Sequence, residues 1–378
     1  QLILVTAKIS KKNTGWRRVD NEYLPILNKL NQVIKIPTYF NPLLSRIVKK
    51  LYPVWFERPD NERRFISGWK SVIRQVKVRP DVIYSRSSPL SSSIMALRLQ
   101  QHYNVPWIMH LSDPWTLSPF FDTDPNNQKF HQKMEMKCFS AATKICFTTE
   151  EQINMYRRRY PQFSDKFEWF PNVYDDDKLV QLKPNFNGPL TFLHTGNFYG
   201  KYRNPSSILN AITAISQERP GLLGDTKFLF AGFQENRVTK LMLACKNFGV
   251  EYLGPLTHQE CYKLYRKATI LVLIDSDLPA EQAVFFLSKT LDYLSVGKPI
   301  LTITTPGSSL HNQLNSKYGS CFAHSDTNGI KNYIIEMIRR YKLKQGSFFE
   351  PYQVEEKYGA KLNSGRLESL ILELLSSN

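Results

Sequence analysis

The chain alternates between short apolar runs and longer segments in which apolar residues recur every three or four positions. The short runs predict buried β-strands, and the periodic segments predict helices with one apolar face. In the first half, strands are predicted at 2–6, 33–37, 82–85, 107–110 and 144–148, with helices at 90–101 and 150–159. In the second half, strands are predicted at 190–194, 227–231, 250–253, 269–274 and 299–303, with helices at 206–216, 238–247, 258–266, 287–296 and 367–375.

Strands that alternate with helices predict parallel sheets built from right-handed crossover units. A chain of 378 residues is too long for one ordinary core, and a polar, turn-rich segment at 183–189 separates two such series. The predicted fold class is therefore α/β, with two Rossmann-like domains facing a cleft. We expect an N-terminal domain at 1–183, a C-terminal domain at 184–350, and a tail at 351–378 whose helix could pack back on the first domain.

Composition excludes several classes of protein. No run of about 18 uncharged apolar residues occurs, so we expect a soluble protein or one that only touches membranes. The five cysteines are scattered singly, which is typical of a reducing compartment. The seven histidines show no metal-ligand spacing, and we therefore expect no metal site and a metal-independent activity.

The net charge of +17 is concentrated near the start, where residues 1–80 hold 17 Lys and Arg against five Asp and Glu. Residues 41–56 lie in this region, and there Asn41 could cap a helix that Pro42 opens. An apolar stripe at helical spacing, flanked by basic residues, predicts a helix at an anionic membrane surface. The alternative is an ordinary amphipathic helix packed on its own domain. We find no nucleic-acid recognition motif, so nucleic acid is not expected as the partner.

Ligands of parallel α/β sheets bind beyond the carboxyl ends of the strands, and this rule selects four segments. The first is the segment 107–115, where His110 and Asp113 follow an apolar run and could face the cleft. The alternatives are that Asp113 caps the next turn and that His110 is a satisfied, half-buried side chain.

The second and third segments follow the first two predicted strands of the C-terminal domain. Gly196 would allow the backbone to approach a ligand, while Lys201 and Arg203 could neutralise phosphate. Gly232 could line a nucleobase. The alternative is that these segments are ordinary turns with solvated cations.

The fourth segment reads FFLSKTLDYLSVGKPILTI, from Phe285 to Ile303. Ser288 and Lys289 stand at the predicted start of a helix, which Gly297 would end in a left-handed conformation. A helix start attracts anions, and Lys289 adds a full charge. Asp292 lies one turn later and could accept hydrogen bonds from ribose hydroxyls. The alternative is a surface Lys-Asp pair at i, i+3.

The order of these segments resembles the family 4 glycosyltransferases of the GT-B fold, in particular those acting on bacterial surface polysaccharides. Four segments carry the resemblance: DVIYSRSSPLSS (81–92), PWIMHLSDPW (106–115), LHTGNFYGKYRNP (193–205) and FFLSKTLDYLSVGKPIL (285–301). In addition, WFPNVYD (169–175) resembles the hinge that ends the first domain in this family. The resemblance implies that Arg203 and Lys289 bind the donor diphosphate, Asp292 binds the ribose, and Asp113 and His110 line the sugar and acceptor side.

The chain also departs from that family. Members often carry two glutamates eight residues apart near this helix, whereas here the positions are Val284 and Asp292, and Glu281 could substitute for the first. The family's first strand and glycine-rich loop are not found, so we expect a fragment that lacks its N-terminal element.

The resemblance implies transfer of a sugar from a nucleotide sugar to an acceptor in cell-surface polysaccharide synthesis, with retention of configuration. The nucleotide sugar is a substrate, and no separate cofactor is expected. The basic segment favours a lipid-linked acceptor, although a soluble saccharide is possible, and the expected location is cytoplasmic or peripheral on the inner face of the plasma membrane. Two other functions stay open: a sugar-nucleotide epimerase of similar build, and a non-catalytic protein that binds anions or membranes.

Overall fold

The computed structural model describes residues 1–8, 24–38, 42–52, 58–60, 62–121, 124–180, 182, 186–198, 202–314, 317–343 and 352–376. The chain forms two compact units. Unit 1 comprises Gln1–Pro171 and Gly365–Asn378, and unit 2 comprises Asn172–Ser364. The division thus falls at 171/172, whereas the sequence pattern placed a boundary at 183/184.

The described residues of unit 1 form six parallel strands in two sheets, of order β1-β2 and β3-β4-β5-β6. The strands are β1 (Ile3–Ala7), β2 (Gln32–Ile36), β3 (Ile83–Ser87), β4 (Trp107–Leu111), β5 (Lys144–Phe147) and β6 (Phe167–Trp169). The helices are α1 (Leu24–Leu27), α2 (Pro42–Leu51), α3 (Arg63–Ser67), α4 (Trp69–Gln75), α5 (Leu90–Tyr103), α6 (Pro125–Ala141) and α7 (Glu150–Arg159), with a 3-10 turn at Pro161–Lys166.

Aromatic residues contribute several of the largest side chains in the core of unit 1. Phe139 of α6 and Tyr156 of α7 pack beside Phe147 of β5, and the Phe147 and Tyr156 rings stack with centroids 4.7 Å apart. On the opposite face, Leu374 near the end of the chain packs against Ile108 of β4. The last residues of the chain therefore belong to the core of unit 1.

Unit 2 contains one parallel sheet of order β12-β11-β10-β7-β8-β9. The strands are β7 (Thr191–Thr195), β8 (Lys227–Ala231), β9 (Val250–Gly254), β10 (Ile270–Ile274), β11 (Ile300–Ile303) and β12 (Gly319–Phe322). The helices are α8 (Ser206–Glu218), α9 (Asn236–Ala244), α10 (His258–Lys267), α11 (Lys289–Ser295), α12 (Ser309–Leu314), α13 (Thr327–Lys342) and the final α14 (Ala360–Ser376), which continues into unit 1, with 3-10 turns at Asp176–Lys178, Lys246–Phe248 and Glu356–Tyr358.

Local sequence explains these elements. Every residue of β10, ILVLI, is buried, as expected of a strand covered on both faces. Thr257 and Glu260 form a capping box that starts α10, and Gly297 at φ 67° follows α11, as its predicted left-handed stop requires.

The ten strands predicted from sequence are all present, with ends that differ by at most two residues. Among the described elements, strands β6 and β12 and helices α1, α3, α4, α6, α12 and α13 were not predicted. In the part of the chain that the structure describes, no helix combines the length and the apolar composition needed to cross a bilayer.

Candidate functional site

The candidate site lies at the carboxyl ends of the central strands of unit 2. Strand β7 pairs with β8 on one side and with β10 on the other. The order in which the chain adds strands therefore reverses at β7, with β8 and β9 on one side and β10, β11 and β12 on the other. Such a switch point is where open α/β sheets bind their ligands. The predicted residues Gly196 and Gly232 directly follow β7 and β8.

These two glycines let the loops approach each other closely. Both have positive φ, +130° at Gly196 and +131° at Gly232, where side chains are strained. A Cβ atom on Gly232 would overlap the carbonyl oxygen of Gly196, and a Cβ atom on Gly196 would overlap the ammonium of Lys289. Lys289 thus packs directly against Gly196, in space that a Cβ atom at position 196 would occupy.

Lys289 is the first residue of α11, and its ammonium nitrogen is buried although the residue as a whole is partly exposed. The nitrogen has no hydrogen-bond partner among the residues that the structure describes. Burial, helped by the positive charge of Arg203, lowers the pKa of Lys289 to about 7, and the nearby Asp275 opposes this shift in part. A buried, unsatisfied ammonium of this kind is well suited to receive an anion.

Arg203 is held by a carboxylate that the sequence analysis missed. Its Nη2 lies 3.2 Å from Oδ1 of Asp275, which follows β10 and is 1% exposed. The Asp275 carboxylate also accepts hydrogen bonds from the backbone N of Ser276 at 2.7 Å and from Oγ1 of Thr304 at 3.3 Å. These contacts fix the guanidinium near Lys289, so two cations and one anion form the cluster.

His194 lies beside this cluster inside β7. Its Nδ1 is 3.0 Å from the carbonyl oxygen of Val272, and its ring stacks on Phe198 with centroids 4.5 Å apart. Burial and the charges of Lys289 and Arg203 hold the pKa of His194 well below its usual value. The imidazole is therefore neutral and adds no further positive charge.

Asp292 and Lys289 have different neighbours although both belong to α11. Oδ2 of Asp292 lies 3.5 Å from Nε2 of His258 in α10. The side chain of His258 is 29% exposed and that of Asp292 is 31% exposed. The structure thus directs Lys289 to Gly196 and Asp292 to His258. Ser288 precedes α11 and is exposed, while the predicted phosphate ligand Lys201 lies outside the described residues.

In unit 1, His110 lies inside a strand, one residue before its end, whereas the sequence analysis expected it just after the apolar run. Strand β4 continues to Leu111, and His110 is 1% exposed within it, with Nδ1 2.6 Å from the hydroxyl of Tyr84. Burial lowers the pKa of His110 to about 3, so the ring is neutral at ordinary pH. Asp113 does follow the strand and is exposed.

The loop that carries Asp113 is anchored through the residues after it. Glu135 of α6 is fully buried, and its carboxylate accepts hydrogen bonds from the hydroxyls of Tyr156 at 2.8 Å and Tyr160 at 2.9 Å. It also accepts hydrogen bonds from the backbone N of Thr116 at 3.2 Å and from the Thr116 hydroxyl. Burial raises the pKa of Glu135, which these donors partly oppose.

No protein-family model and no curated protein sequence matches this chain. Solved structures do match it along its whole length. The sucrose-phosphate synthase of Thermosynechococcus elongatus is 11% identical, with all of both chains covered and a TM-score of 0.64. HepE of Anabaena, solved in complex with UDP, is 12% identical, with all of both chains covered and a TM-score of 0.56. The lipopolysaccharide outer core galactosyltransferase WaaB is 11% identical, with 99% of both chains covered and a TM-score of 0.55.

This chain has the GT-B fold. The similarity confirms the predicted class of two Rossmann-like domains. At 11–12% identity it does not establish an activity, and membership of glycosyltransferase family 4 stays a prediction.

In this GT-B chain, Asp275 and Asp277 form an Asp-x-Asp spacing that the expectation of metal independence overlooked. The structure separates the two carboxylates, since Asp275 is buried against Arg203 and Asp277 is exposed. Among the described residues, no group of three or more His, Cys, Asp or Glu side chains could hold a metal ion.

Proposed function

We propose that this protein is a glycosyltransferase that moves a sugar from a nucleotide-sugar donor to an acceptor in cell-surface polysaccharide synthesis, with retention of configuration. The donor diphosphate would bind at Lys289, Arg203 and the loop after β7. The observation that carries this proposal is the buried ammonium of Lys289, which has no partner in the described part of the chain and lies beside a second, fixed cation.

The cluster suits the chemistry of glycosyl transfer. Positive charge develops at the anomeric carbon, and negative charge develops on the departing diphosphate. Lys289 and Arg203 would stabilise that leaving group, and such preorganised groups each contribute roughly 100-fold or more in rate. Asp275 would act as a positioning residue, because it holds the guanidinium of Arg203 in one orientation.

Other predicted residues take parts that follow from their positions. Asp292 would accept hydrogen bonds from the ribose hydroxyls, because its side chain is accessible. These bonds would either add to its contact with His258 or replace that contact. Gly196 and Gly232 would let the backbone approach the nucleotide. Asp113 would serve the acceptor. His110 would lie on the sugar and acceptor side; it is buried and neutral, and its Nε2 has no hydrogen-bond partner among the described residues.

We further propose that the acceptor is lipid-linked and that helix α2 binds the protein peripherally to an anionic membrane surface. Ile47, Leu51 and Tyr52 of this segment are 55%, 64% and 64% exposed, and Arg46 and Lys50 are exposed beside them. Asn41, and the side chains of Leu43 and Leu44 from the predicted stripe, lie outside the described residues. Each basic residue near an anionic leaflet contributes about 1 kcal/mol. This location would be the inner face of the plasma membrane, where the free cysteines stay reduced.

A product assay tests the proposed activity. The protein is incubated with a panel of nucleotide sugars, with and without a membrane lipid extract as acceptor source, and free nucleoside diphosphate and labelled lipid are measured. A transferase releases diphosphate and labels the lipid only when both substrates are present. Release of neither product with any donor, or interconversion of the donor sugar without acceptor, would contradict the proposal; the latter would indicate an epimerase.

A further inference from the structure

A polar cavity in unit 2 adjoins the cluster of Lys289 and Arg203, but neither of these residues lines it. Its volume is about 460 Å³, within the range of roughly 300–1,000 Å³ found for small-molecule sites. We propose that this cavity is a saccharide-binding subsite. The proposal rests on the proposed function only for the role that it gives to the sugar. The cavity and the chemistry of its lining do not depend on that function.

The cavity lies at the ligand-binding edge of the sheet. Asp277, Thr305 and Ser325 follow the carboxyl ends of β10, β11 and β12 and line the cavity. The first turns of α8 and α13 complete it through Ser206 and Thr327. The cavity thus continues the edge that binds ligands in this fold, on the β11-β12 side of the switch point.

The lining side chains suit a polyhydroxylated ligand. Hydroxyl and amide groups predominate, contributed by Asn204, Ser206, Asn210, Thr305, Ser325 and Thr327. Such groups both donate and accept hydrogen bonds, as the hydroxyls of a sugar ring do. Asp277 adds a carboxylate, which can accept two hydrogen bonds from neighbouring hydroxyls.

The same lining disfavours other ligands. Among the described residues it contains no lysine or arginine, so a second diphosphate would lack charge compensation from them. Its apolar residues are Pro306 and Ala323, which offer too little surface for a lipid tail. A neutral, hydroxyl-rich molecule is the class that remains.

The walls of the cavity are tied together before any ligand binds. Oγ of Ser207 donates to the carbonyl oxygen of His324 at 2.7 Å, and Oγ1 of Thr305 donates to the carbonyl oxygen of Leu278 at 2.8 Å. The backbone N of Asp277 donates to the carbonyl oxygen of Tyr202 at 2.7 Å. These bonds join four loops, and a preformed site loses less entropy on binding.

His324 supplies an independent sign of a missing partner. It lines the cavity, and its Nε2 is buried without a hydrogen-bond partner among the residues that the structure describes. A buried ring nitrogen is expected to be hydrogen-bonded. The ring would have to turn toward the cavity for a ligand hydroxyl to satisfy this nitrogen.

The sugar could come from either substrate. Asp277 is two residues from Asp275, which holds the proposed diphosphate ligand Arg203. A saccharide in the cavity would therefore lie in the same loop system as the diphosphate site. Both the donor sugar and an acceptor sugar have the required chemistry, and the experiment must separate them.

Saturation-transfer difference NMR on the full chain provides the test, with a panel of methyl hexosides and methyl N-acetylhexosaminides at millimolar concentration as probes. We expect transfer from at least one of them to the wild type. Asp277→Asn removes the carboxylate, and Asn210→Leu fills the cavity with an apolar side chain. Each should weaken binding of that probe by about fivefold to tenfold.

The matched controls are Asp225→Asn and Asn332→Leu, which make the same changes at exposed positions of unit 2 outside the cavity. Both should bind the probe as the wild type does. The proposal is overturned if no probe in the panel gives saturation transfer, or if Asp277→Asn and Asn210→Leu bind as well as their controls.

Adding nucleotides identifies the source of the sugar. If the cavity holds the donor sugar, an intact nucleotide sugar displaces the hexoside while the corresponding nucleoside diphosphate does not. If it holds an acceptor sugar, hexoside binding persists with the nucleotide sugar bound. Hexoside binding without any nucleotide binding would keep the subsite and refute the proposed donor site, so the two failures are distinguishable.

Discussion

Replacing Lys289 by methionine should make the unliganded protein more stable. Methionine keeps most of the side-chain volume and removes a buried ammonium that has no partner in the described part of the chain. The pKa of Lys289 falls from its usual 10.5 to about 7. Because the folded state disfavours the charged form, the wild type loses about 4 kcal/mol at neutral pH relative to a solvated lysine.

The size of the effect can be followed by thermal unfolding. For a domain of 150–250 residues, 1 kcal/mol corresponds to about 2–4 °C in Tm. Relaxation around the ammonium will reduce the full amount, and a rise of roughly 4 °C or more in Lys289→Met is the expected result.

The sign of the pH dependence follows from the lowered pKa. The stability difference between variant and wild type should be largest below about pH 7, where lysine is charged in both folded and unfolded states. It should shrink as the pH rises from about 7 towards 10.5, because the folded wild type is then neutral.

Lys298→Met is the matched control. Lys298 is also buried, and burial lowers its pKa to about 8, but its ammonium donates to the carbonyl oxygens of Arg266, at 2.7 Å, and Ala268. Removing this donor leaves two carbonyl groups unsatisfied, which costs roughly 1–3 kcal/mol and offsets the gain from removing a lysine of lowered pKa. The control should therefore gain clearly less stability than Lys289→Met, and equal gains in the two variants would refute the argument that Lys289 lacks a partner.

Three further predictions follow from the structure. Nucleoside diphosphate affinity should fall by up to about tenfold per pH unit above pH 7. The reason is that a bound anion raises the pKa of Lys289, so the neutral amine must take up a proton on binding. Calorimetry across pH 6–9 checks this, and a flat profile would argue against Lys289 as a ligand. Gly232→Ala should be less stable in urea unfolding than Gly188→Ala by roughly 1–3 kcal/mol. Both glycines have similar positive φ, but only at position 232 would the added Cβ overlap another atom, the carbonyl oxygen of Gly196. Equal losses would refute the close packing of the two loops. Glu135→Leu should lose about 3 kcal/mol and Glu135→Gln clearly less, because glutamine still accepts hydrogen bonds from Thr116 and the tyrosines; equal losses would show that these bonds do not hold the loop.

Sequence patterns predicted the strands well because buried parallel strands are short, continuous apolar runs such as ILVLI in β10. They did not predict α6, whose sequence PNNQKFHQKMEMKCFSA has few apolar residues at helical spacing. Strands β6 and β12 were missed because one has three residues and the other, GSCF, begins with glycine and serine.

The residues of the candidate site also divide into those whose positions the sequence predicted and those whose positions it did not. The positions of three residues could be predicted: Gly196 directly follows a strand, Arg203 lies in the loop between that strand and the next helix, and Lys289 begins a helix. Their partners could not, because Asp275 is 72 residues from Arg203 and its role depends on which strands become neighbours. The apolar run before Asp275 was the one available signal, since a carboxylate directly after a fully buried strand needs a cation or donors nearby.

Calorimetric titration with nucleoside diphosphates, beside the matching monophosphates and nucleosides, tests the central claim most directly. We predict that the wild type binds at least one diphosphate more tightly than its monophosphate, and that Arg203→Met and Lys289→Met each weaken this binding by about tenfold or more. Absence of diphosphate binding in the wild type, or equal affinity in the wild type and both variants, would contradict the account.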